Sequence, residues 1–476
     1  MKNKVGTAIV TAALGALGST STSYAADWQI TPYLNVAEIY TDDVNLDAAF
    51  AQSDFVTQTT VGTRIDTTGP RFNLNLDYGL THLFYPSLQG DKDEFRHNLQ
   101  ATAGSELVRD FVFIDFNAAM TEQFIDRRAA FSTVSLARTT NRGTLSIIDV
   151  SPYTVNRVNG NFATLTNRYR YSYIDLSRNI TLTGIDLGES SAQFHEVSST
   201  LASGTRFTKF TWSWANSFRR ERGSNTTDND IYTSLISGDY QWTRQIAFIG
   251  QIGYLKRNSD FAGGTFSGAI WRAGGRLTPG PRTVLTATYG KEFYGNTFNF
   301  SGSYRLTDRI DLTVNYFDQY RSFQDIALNN VINGDNNPSV PVQQDVINNN
   351  FNRQKQWNAG IVGVRGRSTI ALSASYSKNT SNDVASTYIR RAVGIDWTRR
   401  LSPRLSFTAA ANLMEDDFFT DPGKDLFIAY NGRFDYTLSQ NITGTIEYIH
   451  TKRNQLLFNY VPRMSNYVSV AIGVTF

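Results

Sequence analysis

The 476-residue chain contains no cysteine, which excludes disulfide bonds, thiolate metal sites and a cysteine nucleophile. A large exported protein without cysteine also avoids mispaired disulfides in an oxidising compartment such as the periplasm. Histidine is scarce as well: its four residues are scattered and have no metal-ligand spacing, namely His82, His97, His195 and His450. We therefore predict no metal site, no cofactor and no enzymatic activity.

Long hydrophobic runs are also missing. Beyond the first 26 residues, no segment approaches the roughly 18 to 20 apolar residues of a membrane helix, and mean hydropathy is −0.32. These values do not exclude a transmembrane β-barrel, because only every second residue of a barrel strand meets lipid. The formal charge of +3 is too small over this length to predict nucleic-acid binding.

The first 26 residues have the composition of a signal peptide. Lys2 and Lys4 are basic, Val5 to Leu17 is a short apolar stretch, and small residues precede Ala26. We expect residues 1–26 to be removed and residues 27–476 to form one barrel domain.

Strict alternation of apolar and polar residues fills the rest of the chain. Phe72, Leu74, Leu76 and Tyr78, for example, alternate with short polar residues. Such a period of two is typical of β-strands with one apolar face. Aromatic residues reach 13%, which suits the aromatic girdles of outer-membrane barrels.

Short polar connections separate the alternating runs and predict the topology. Ten tight turns are indicated, near residues 67–70, 108–110, 177–179, 203–206, 243–245, 278–282, 307–309, 366–368, 401–404 and 438–441. Ten periplasmic turns, with both termini on the same side, imply about 22 strands. We therefore predict an all-β, transmembrane antiparallel barrel of 18 to 22 strands with no separate plug domain.

Two connections are predicted to be long. Residues 124–160 contain five arginines, and residues 323–352 are rich in Asn, Asp and Gln. Loops of this length are commonly functional or disordered. Either loop could fold into the lumen or remain outside, and the sequence leaves both possibilities open.

The last ten residues form the strongest single signal. Val470, Ile472, Val474 and the terminal Phe476 share one face, and Tyr467 lies at the start of the run on the other. A terminal aromatic residue on such a strand is similar to the sorting signal of outer-membrane barrels. We take Tyr467, Val470, Ile472, Val474 and Phe476 as the barrel-assembly signal.

Polar residues at inward positions are the candidate functional residues. Ten of the 45 basic residues are lysine and the rest are arginine, whose planar fork of donors suits hydroxyl, carboxylate and phosphate groups. A lumen with many weak hydrogen-bonding sites permits passage of a solute. The lumen-lining candidates are Arg96, Asn98, Gln100, Arg168, Arg170, Arg305, Arg433 and Asp435.

An acidic cluster near the N-terminus has the oxygen density of a calcium site. It contains Asp42, Asp43, Asn45 and Asp47. The spacing matches no EF-hand loop, and Asp and Asn are common in turns. We interpret the cluster as a loop and predict no metal there.

Several passages resemble a family of porin-type outer-membrane barrels associated with exopolysaccharide and exosortase (PEP-CTERM) gene systems. The resemblance is carried by Trp28 to Pro32 and Glu38 to Leu46, with weaker support from Ser151-Pro152-Tyr153 and Arg168-Tyr169. The family has Asn at the position of Asp43. The resemblance implies a pore linked to polysaccharide export or capsule biogenesis, and no catalytic residues.

The sequence thus predicts an outer-membrane pore for hydrophilic solutes, linked to exopolysaccharide export. A non-conducting adhesion barrel that binds surface polysaccharide is the alternative, and an outer-membrane enzyme is the third hypothesis. The expected partners are outer-membrane lipids, lipopolysaccharide, the barrel-assembly machinery, polysaccharide and periplasmic export proteins. Nucleic acid is not expected.

Overall fold

The computed structural model of the protein describes most of the chain after its first 26 residues. In this part of the chain no helix is long and apolar enough to cross a membrane. The predicted signal peptide and the second long connection lie outside the described residues, which are 27–46, 51–90, 92–124, 132, 134, 136–138, 141–178, 190–223, 228–259, 265–321, 352–381, 387–419, 424–454 and 463–476.

The described residues form 22 antiparallel strands, and each strand pairs with its neighbours in sequence. The first and last strands also pair, from Tyr33 with Thr475 to Thr41 with Tyr467, so the sheet closes into a barrel. The strands are β1 (Asp27–Thr41), β2 (Asp54–Thr68), β3 (Phe72–Phe84), β4 (Asp93–Val108), β5 (Val112–Phe124), β6 (Arg142–Val158), β7 (Ala163–Arg178), β8 (Ser190–Ser203), β9 (Phe210–Gly223), β10 (Asn229–Gln241), β11 (Ile246–Ser259), β12 (Phe266–Gly280), β13 (Thr283–Glu292), β14 (Gly295–Thr307), β15 (Ile310–Arg321), β16 (Asn352–Arg365), β17 (Ser368–Ser381), β18 (Tyr388–Arg400), β19 (Leu405–Phe418), β20 (Lys424–Ser439), β21 (Ile442–Asn454) and β22 (Arg463–Thr475).

The two faces of the sheet differ as the alternation requires. On β22, Val468, Val470 and Ile472 are exposed, whereas Tyr467 on the opposite face is 2% exposed. The register between neighbouring strands aligns the exposed apolar residues of one strand with those of the next, as in Val470 opposite Ile446. One continuous apolar surface therefore faces outward to lipid, and the alternate residues face the lumen.

The two ends of the barrel are built differently. Ten connections of two to six residues lie at one end, together with the start of β1 and the end of β22. Most connections at the other end are longer, with a two-residue turn between β13 and β14 as the clearest exception. Because outer-membrane barrels place short turns in the periplasm, the long connections face the cell exterior.

One predicted turn is wrong. Residues 177–179 do not form a tight periplasmic turn, since β7 continues to Arg178 and ends on the extracellular side. The turn lies instead between β6 and β7, where Asn159 and Gly160 have φ of 46° and 69°. Asn-Gly is the preferred pair for such a tight hairpin, and this signal was missed. The predicted connection 124–160 is correspondingly shorter, because β6 occupies Arg142–Val158 and leaves residues 125–141.

Aromatic side chains form two girdles on the outer face. The extracellular girdle includes Tyr316, whose ring centroid lies 4.5 Å from that of Trp357. The periplasmic girdle includes Phe407, which lies 5.7 Å from Trp397 and 4.6 Å from Phe434. Exposed aliphatic residues occupy the band between them. This layered outer surface matches the interfaces and the hydrocarbon core of a membrane.

All four histidines belong to the extracellular girdle, where each contacts a Tyr or a Phe. His82 stacks on Phe95 with ring centroids 4.7 Å apart, and His195 lies 5.1 Å from Tyr171. His97 shares a hydrogen bond of 2.9 Å with the Tyr78 hydroxyl, and His450 stacks on Tyr430. The four histidines are far apart in the sequence because they lie on different strands, but at a similar height in the barrel wall.

Part of the β5–β6 connection lies inside the barrel. Leu136 is 2% exposed and packs in an apolar cluster against the inner faces of β1, β2, β3 and β22. The Tyr85 hydroxyl donates to the Leu136 carbonyl oxygen at 2.8 Å, and the Ser132 hydroxyl lies 3.0 Å from that of Tyr467. The described residues of this connection thus adopt the inward position that the sequence left open.

Candidate functional site on the inner wall

The eight predicted lumen residues all lie on the strand face opposite the exposed apolar side chains. They do not form one site. Asn98 and Gln100 follow Arg96 along β4, opposite Gly79 and Asp77 of β3. Arg168 and Arg170 lie on β7, Arg305 on β14, and Arg433 and Asp435 on β20.

Arg96 belongs to a charged cluster near the extracellular end. Its guanidinium lies 2.9 Å from Glu94 and 3.2 Å from Glu122, and its side chain is 8% exposed. Arg142 lies 3.4 Å from Glu122, and Arg138 lies 4.0 Å from Glu94. Because Arg138 belongs to the β5–β6 connection, these ion pairs help to hold that connection against the wall. None of the carboxylates was identified from the sequence.

Tyr85 lies between this charged cluster and the inward connection. Burial raises the pKa of its hydroxyl, so the group stays protonated and donates to Leu136. The Arg138 guanidinium lies 5.4 Å from the Tyr85 ring centroid. The connection is therefore anchored by an apolar contact, a hydrogen bond and a cation–π contact.

Arg168 is fixed in place on the inner wall of β7. One of its Nη atoms donates to Asp115 at 2.9 Å and to the Ser151 hydroxyl at 2.7 Å. Its guanidinium stacks over the Tyr153 ring at 4.1 Å. These partners come from β5 and β6. The pairing register of β5, β6 and β7 therefore fixes the orientation of the Arg168 guanidinium.

Arg170 has a similar environment one step further along β7. It lies 3.4 Å from Asp149, whose side chain is almost completely buried. Asp149 also accepts a hydrogen bond from the Ser172 hydroxyl at 2.7 Å and from the Asn117 amide at 3.2 Å. Asp149 thus has two hydrogen-bond donors and Arg170 as its ion-pair partner, which holds all three side chains on the inner wall.

A cavity of about 520 Å³ opens in front of these two arginines. It spans β2 to β7 in the periplasmic half of the barrel, and its wall is dominated by carboxylate, amide and guanidinium groups. Its charged and amide residues are Asp66, Asn73, Asn75, Asp115, Asn117, Asp149, Arg168 and Arg170. The volume suits a small organic ligand.

The remaining candidates lie away from this cavity. Arg305 pairs with Asp311 at 3.3 Å, and both side chains are more than half exposed. Arg433 pairs with Asp435 at 2.7 Å, and Asp435 accepts from the Thr445 hydroxyl. These are local pairs between neighbouring wall positions, and such exposed pairs are weak.

A ladder of amides on β15 and β16 was not identified from the sequence. The Gln319 amide donates to Gln354 at 3.3 Å, Gln354 donates to Gln356 at 2.9 Å, and Gln356 donates to Asn358 at 2.6 Å. The sequence did contain a signal for this ladder, since the amide residues Gln354, Gln356 and Asn358 occupy alternate positions and therefore one face of a strand. The ladder gives the inner wall facing these strands an uncharged, hydrogen-bonding surface.

The acidic residues near the N-terminus have a structural contact. Asp42 accepts hydrogen bonds from the backbone N–H and the side-chain amide of Asn466, at 2.7 and 2.5 Å. Asp42 thus ties the end of β1 to β22, and Asp47 lies outside the described residues. In the part of the chain that the structure describes, no group of three His, Asp or Glu residues could hold a metal ion.

A closed 22-stranded barrel with an apolar outer band and two aromatic girdles is a protein of the bacterial outer membrane. The sequence matches no family model and no curated protein. Solved structures of the same fold exist. The chain is similar to the apoprotein form of the FrpB iron transporter from Neisseria meningitidis, with a TM-score of 0.61 and 8% identity over 94% of this chain and 81% of that one.

Two further neighbours have the same architecture. The open form of the ferric-catecholate import receptor Fiu from Escherichia coli has a TM-score of 0.56 and 11% identity, over 93% of this chain and 81% of that one. The siderophore receptor PirA from Pseudomonas aeruginosa has a TM-score of 0.51 and 9% identity, over 94% and 80%. At these identities the likeness concerns the fold.

These comparisons correct two predictions. The solved structures that share this fold are named as iron transporters and siderophore receptors, and this likeness contradicts the predicted passive pore for polysaccharide export. The predicted fold class is also corrected: the all-β antiparallel barrel of about 22 strands agrees with the structure, but the expectation of no plug is contradicted. The described residues form a 22-stranded barrel, and outer-membrane transporters of that size have a plugged lumen. The strand alternation of a pore and of a receptor is the same, which explains both errors.

Proposed function

We propose that this chain is an outer-membrane uptake barrel that binds a polar, oxygen-rich ligand on its inner wall. The observation that carries the proposal is the 520 Å³ cavity in front of Arg168 and Arg170. Its donors and acceptors are held by neighbouring strands before any ligand arrives, which reduces the entropy lost on binding.

The charge of the cavity favours one class of ligand. Its wall has three carboxylates, Asp66, Asp115 and Asp149, and two guanidinium groups. Asp115 and Asp149 are paired with the arginines, and Asp66 accepts from the Asn75 amide at 2.5 Å. A strongly anionic ligand would meet an excess of negative charge. We therefore propose a neutral or cationic ligand with many carbonyl or hydroxyl oxygens.

A metal chelate of that charge fits both the cavity and the solved neighbours. Those neighbours are named as iron transporters and siderophore receptors. A ferric trishydroxamate is a neutral chelate of suitable chemistry, whereas a ferric triscatecholate has three negative charges. We propose the hydroxamate type for this chain and treat the chain as a binding protein without catalytic activity.

The partners follow from the same proposal. The assembly machinery would recognise the C-terminal strand through Tyr467, Val470, Ile472, Val474 and Phe476, of which Phe476 is 70% exposed. A periplasmic partner would act at the short-turn end. Relatedness to the exosortase-associated barrels, carried by Trp28 to Pro32 and Glu38 to Leu46, stays a proposal about family alone.

Calorimetric titration of the purified protein in detergent tests the function. We expect binding of a ferric trishydroxamate and no binding of a ferric triscatecholate or of a neutral oligosaccharide. The Arg168→Ala variant should bind about tenfold more weakly, since it loses a hydrogen bond from a charged donor. Arg305→Ala, a wall arginine outside the cavity, should bind as the parent does. Equal affinity of Arg168→Ala and the parent would reject the cavity as the site, and preference for the triscatecholate would reject the ligand class.

A further inference from the structure

Two lysines face each other on the outer surface, at the extracellular end of β16 and β17. Lys355 and Lys378 are direct partners in the strand register, and both point outward with exposed amines. Like charges at directly opposite positions destabilise a sheet. Asp318 lies 4.0 Å from Lys355, and among the described residues no carboxylate forms an ion pair with Lys378. Within the described part of the chain, the two lysines therefore share a single nearby carboxylate, Asp318, which also pairs with Arg353.

An apolar groove lies directly below this pair. Its volume is about 330 Å³, and it opens on the lipid-facing side of β15 to β19. Ala359 and Ala374 form its floor because their side chains are short, and larger exposed side chains form its walls. The residues that define the groove are Trp357, Ala359, Ala374, Tyr376, Val393 and Leu413.

A third cation stands at the head of the groove. Arg391 is the register partner of Tyr376 and lines the groove, and its guanidinium lies 6.0 Å from the Tyr376 ring centroid. Arg391 forms an ion pair with Glu415 at 2.5 Å. Glu415 also forms an ion pair with Lys424, at 3.1 Å. Among the described outward residues of this rim there are five cations and three carboxylates, the cations being Arg353, Lys355, Lys378, Arg391 and Lys424 and the carboxylates Asp318, Glu415 and Asp417.

The height of the site in the membrane identifies its occupant. Trp357 and Tyr376 belong to the extracellular aromatic girdle, so the lysines lie at the headgroup level of the outer leaflet and the groove lies in its acyl region. A lipid with phosphate above and an acyl chain below matches both halves. Ammonium and guanidinium groups bind phosphate through charge-assisted hydrogen bonds.

We propose that this face binds a phosphorylated glycolipid of the outer leaflet. One phosphate lies between Lys355 and Lys378, and one acyl chain lies along Ala359 and Ala374. This site lies on the opposite side of the wall from the uptake cavity and does not depend on the proposed ligand. It gives the barrel a fixed lipid neighbour on one sector of its circumference.

Native mass spectrometry in a neutral detergent, with hexa-acylated, bis-phosphorylated lipid A as the probe, tests the proposal. We expect a one-to-one complex whose dissociation constant rises about tenfold in Lys378→Gln and more in the double variant with Lys355→Gln. Lys291→Gln, an exposed outward rim lysine on β13, should leave the affinity unchanged. Ala374→Phe, which fills the groove, should weaken binding with both lysines intact.

The same experiment contains the outcomes that overturn the site. Equal binding by the parent and the Lys355/Lys378 double variant would reject the phosphate position. Equal binding of a dephosphorylated analogue would do the same. A second copy of the chain would be the occupant of the groove if the protein formed dimers that lipid A does not dissociate and that Ala374→Phe abolishes. Thermal unfolding without lipid checks the variants, and Lys378→Gln should be at least as stable as the parent because the repulsion is removed.

Discussion

Tyr33 shows how one side chain shapes the inner wall. Its ring lies over Gly62 of β2, where an added Cβ would fall 2.3 Å from the Tyr33 Cζ atom and 2.5 Å from the Tyr78 carbonyl oxygen. The Tyr33 hydroxyl donates to Asp77 at 3.0 Å, and Asp77 pairs with Arg64 at 2.9 Å. The glycine is required because the phenol occupies the space of its missing side chain.

We predict that Gly62→Ala destabilises the barrel by about 1–3 kcal/mol, the usual cost of forcing extra atoms into a packed site. Gly432→Ala is the matched control, since an added Cβ there meets no atom within 4 Å. Urea unfolding in lipid vesicles, followed by tryptophan fluorescence, measures both. Equal midpoints for the two variants would contradict the packing role of Tyr33.

At the scale of one element, β22 separates the two environments of the wall. Val470 is 53% exposed on the lipid face, and its neighbour Ser469 faces the lumen. We predict that Val470→Arg destabilises the folded barrel by about 2–4 kcal/mol, the cost of an arginine near the bilayer midplane. Ser469→Arg should cost much less, because its guanidinium can reach water. Urea unfolding in vesicles compares the two, and the reverse order would invert the assignment of faces.

The β5–β6 connection gives a second prediction at this scale. Val134 packs against the apolar cluster that contains Leu136 on the inner wall. Because the chain has no cysteine, Val134→Cys creates a unique label site. We expect slow maleimide labelling, and fast labelling once Leu136→Glu is added, since a buried carboxylate would release the connection.

Phe419→Cys serves as the reference for that labelling experiment, because Phe419 is 76% exposed at the extracellular end of β19. Its labelling rate should not change with Leu136→Glu. Labelling of Val134→Cys as fast as that of Phe419→Cys, without the second substitution, would show that the connection does not stay on the wall.

Most elements could be predicted from the sequence because their signals are local. Alternation gave the strands, and nine of the ten predicted turns fall on or beside a short connection. The turn at Asn159 and Gly160 was missed because β6 contains Pro152 and a run of apolar residues that hides its alternation. The partners of Arg168 could not be predicted, since Asp115 and Ser151 meet it only through the register of three strands.

At the scale of the whole molecule, the lumen is partly filled by its own chain. Leu136 and its neighbours occupy space beside β1, β2, β3 and β22. We predict that replacing residues 125–141 by a short Gly-Ser turn raises single-channel conductance in planar bilayers relative to the parent. Unchanged conductance would mean that this connection does not limit the cross-section.

The function could not be predicted at this scale. A pore and a receptor have the same alternation of apolar and polar residues, the same short turns and the same aromatic girdles, because any barrel needs these features to span the outer membrane. What distinguishes them lies in the arrangement of inward side chains, which is a three-dimensional property. The same limit applies to the amide ladder and to the facing lysines, since both depend on neighbouring positions along or across strands.

The described lysines of this barrel avoid its inner wall, whereas its arginines lie on both sides. Of the eight lysines among the described residues, six point outward near the extracellular rim, namely Lys256, Lys291, Lys355, Lys378, Lys424 and Lys452, and the other two lie in connections. Along the described inner wall the cations are arginines. An amine-reactive dye would consequently label the extracellular rim of the purified protein and leave its described inner wall unlabelled, so fluorescence could be attached without altering the lumen.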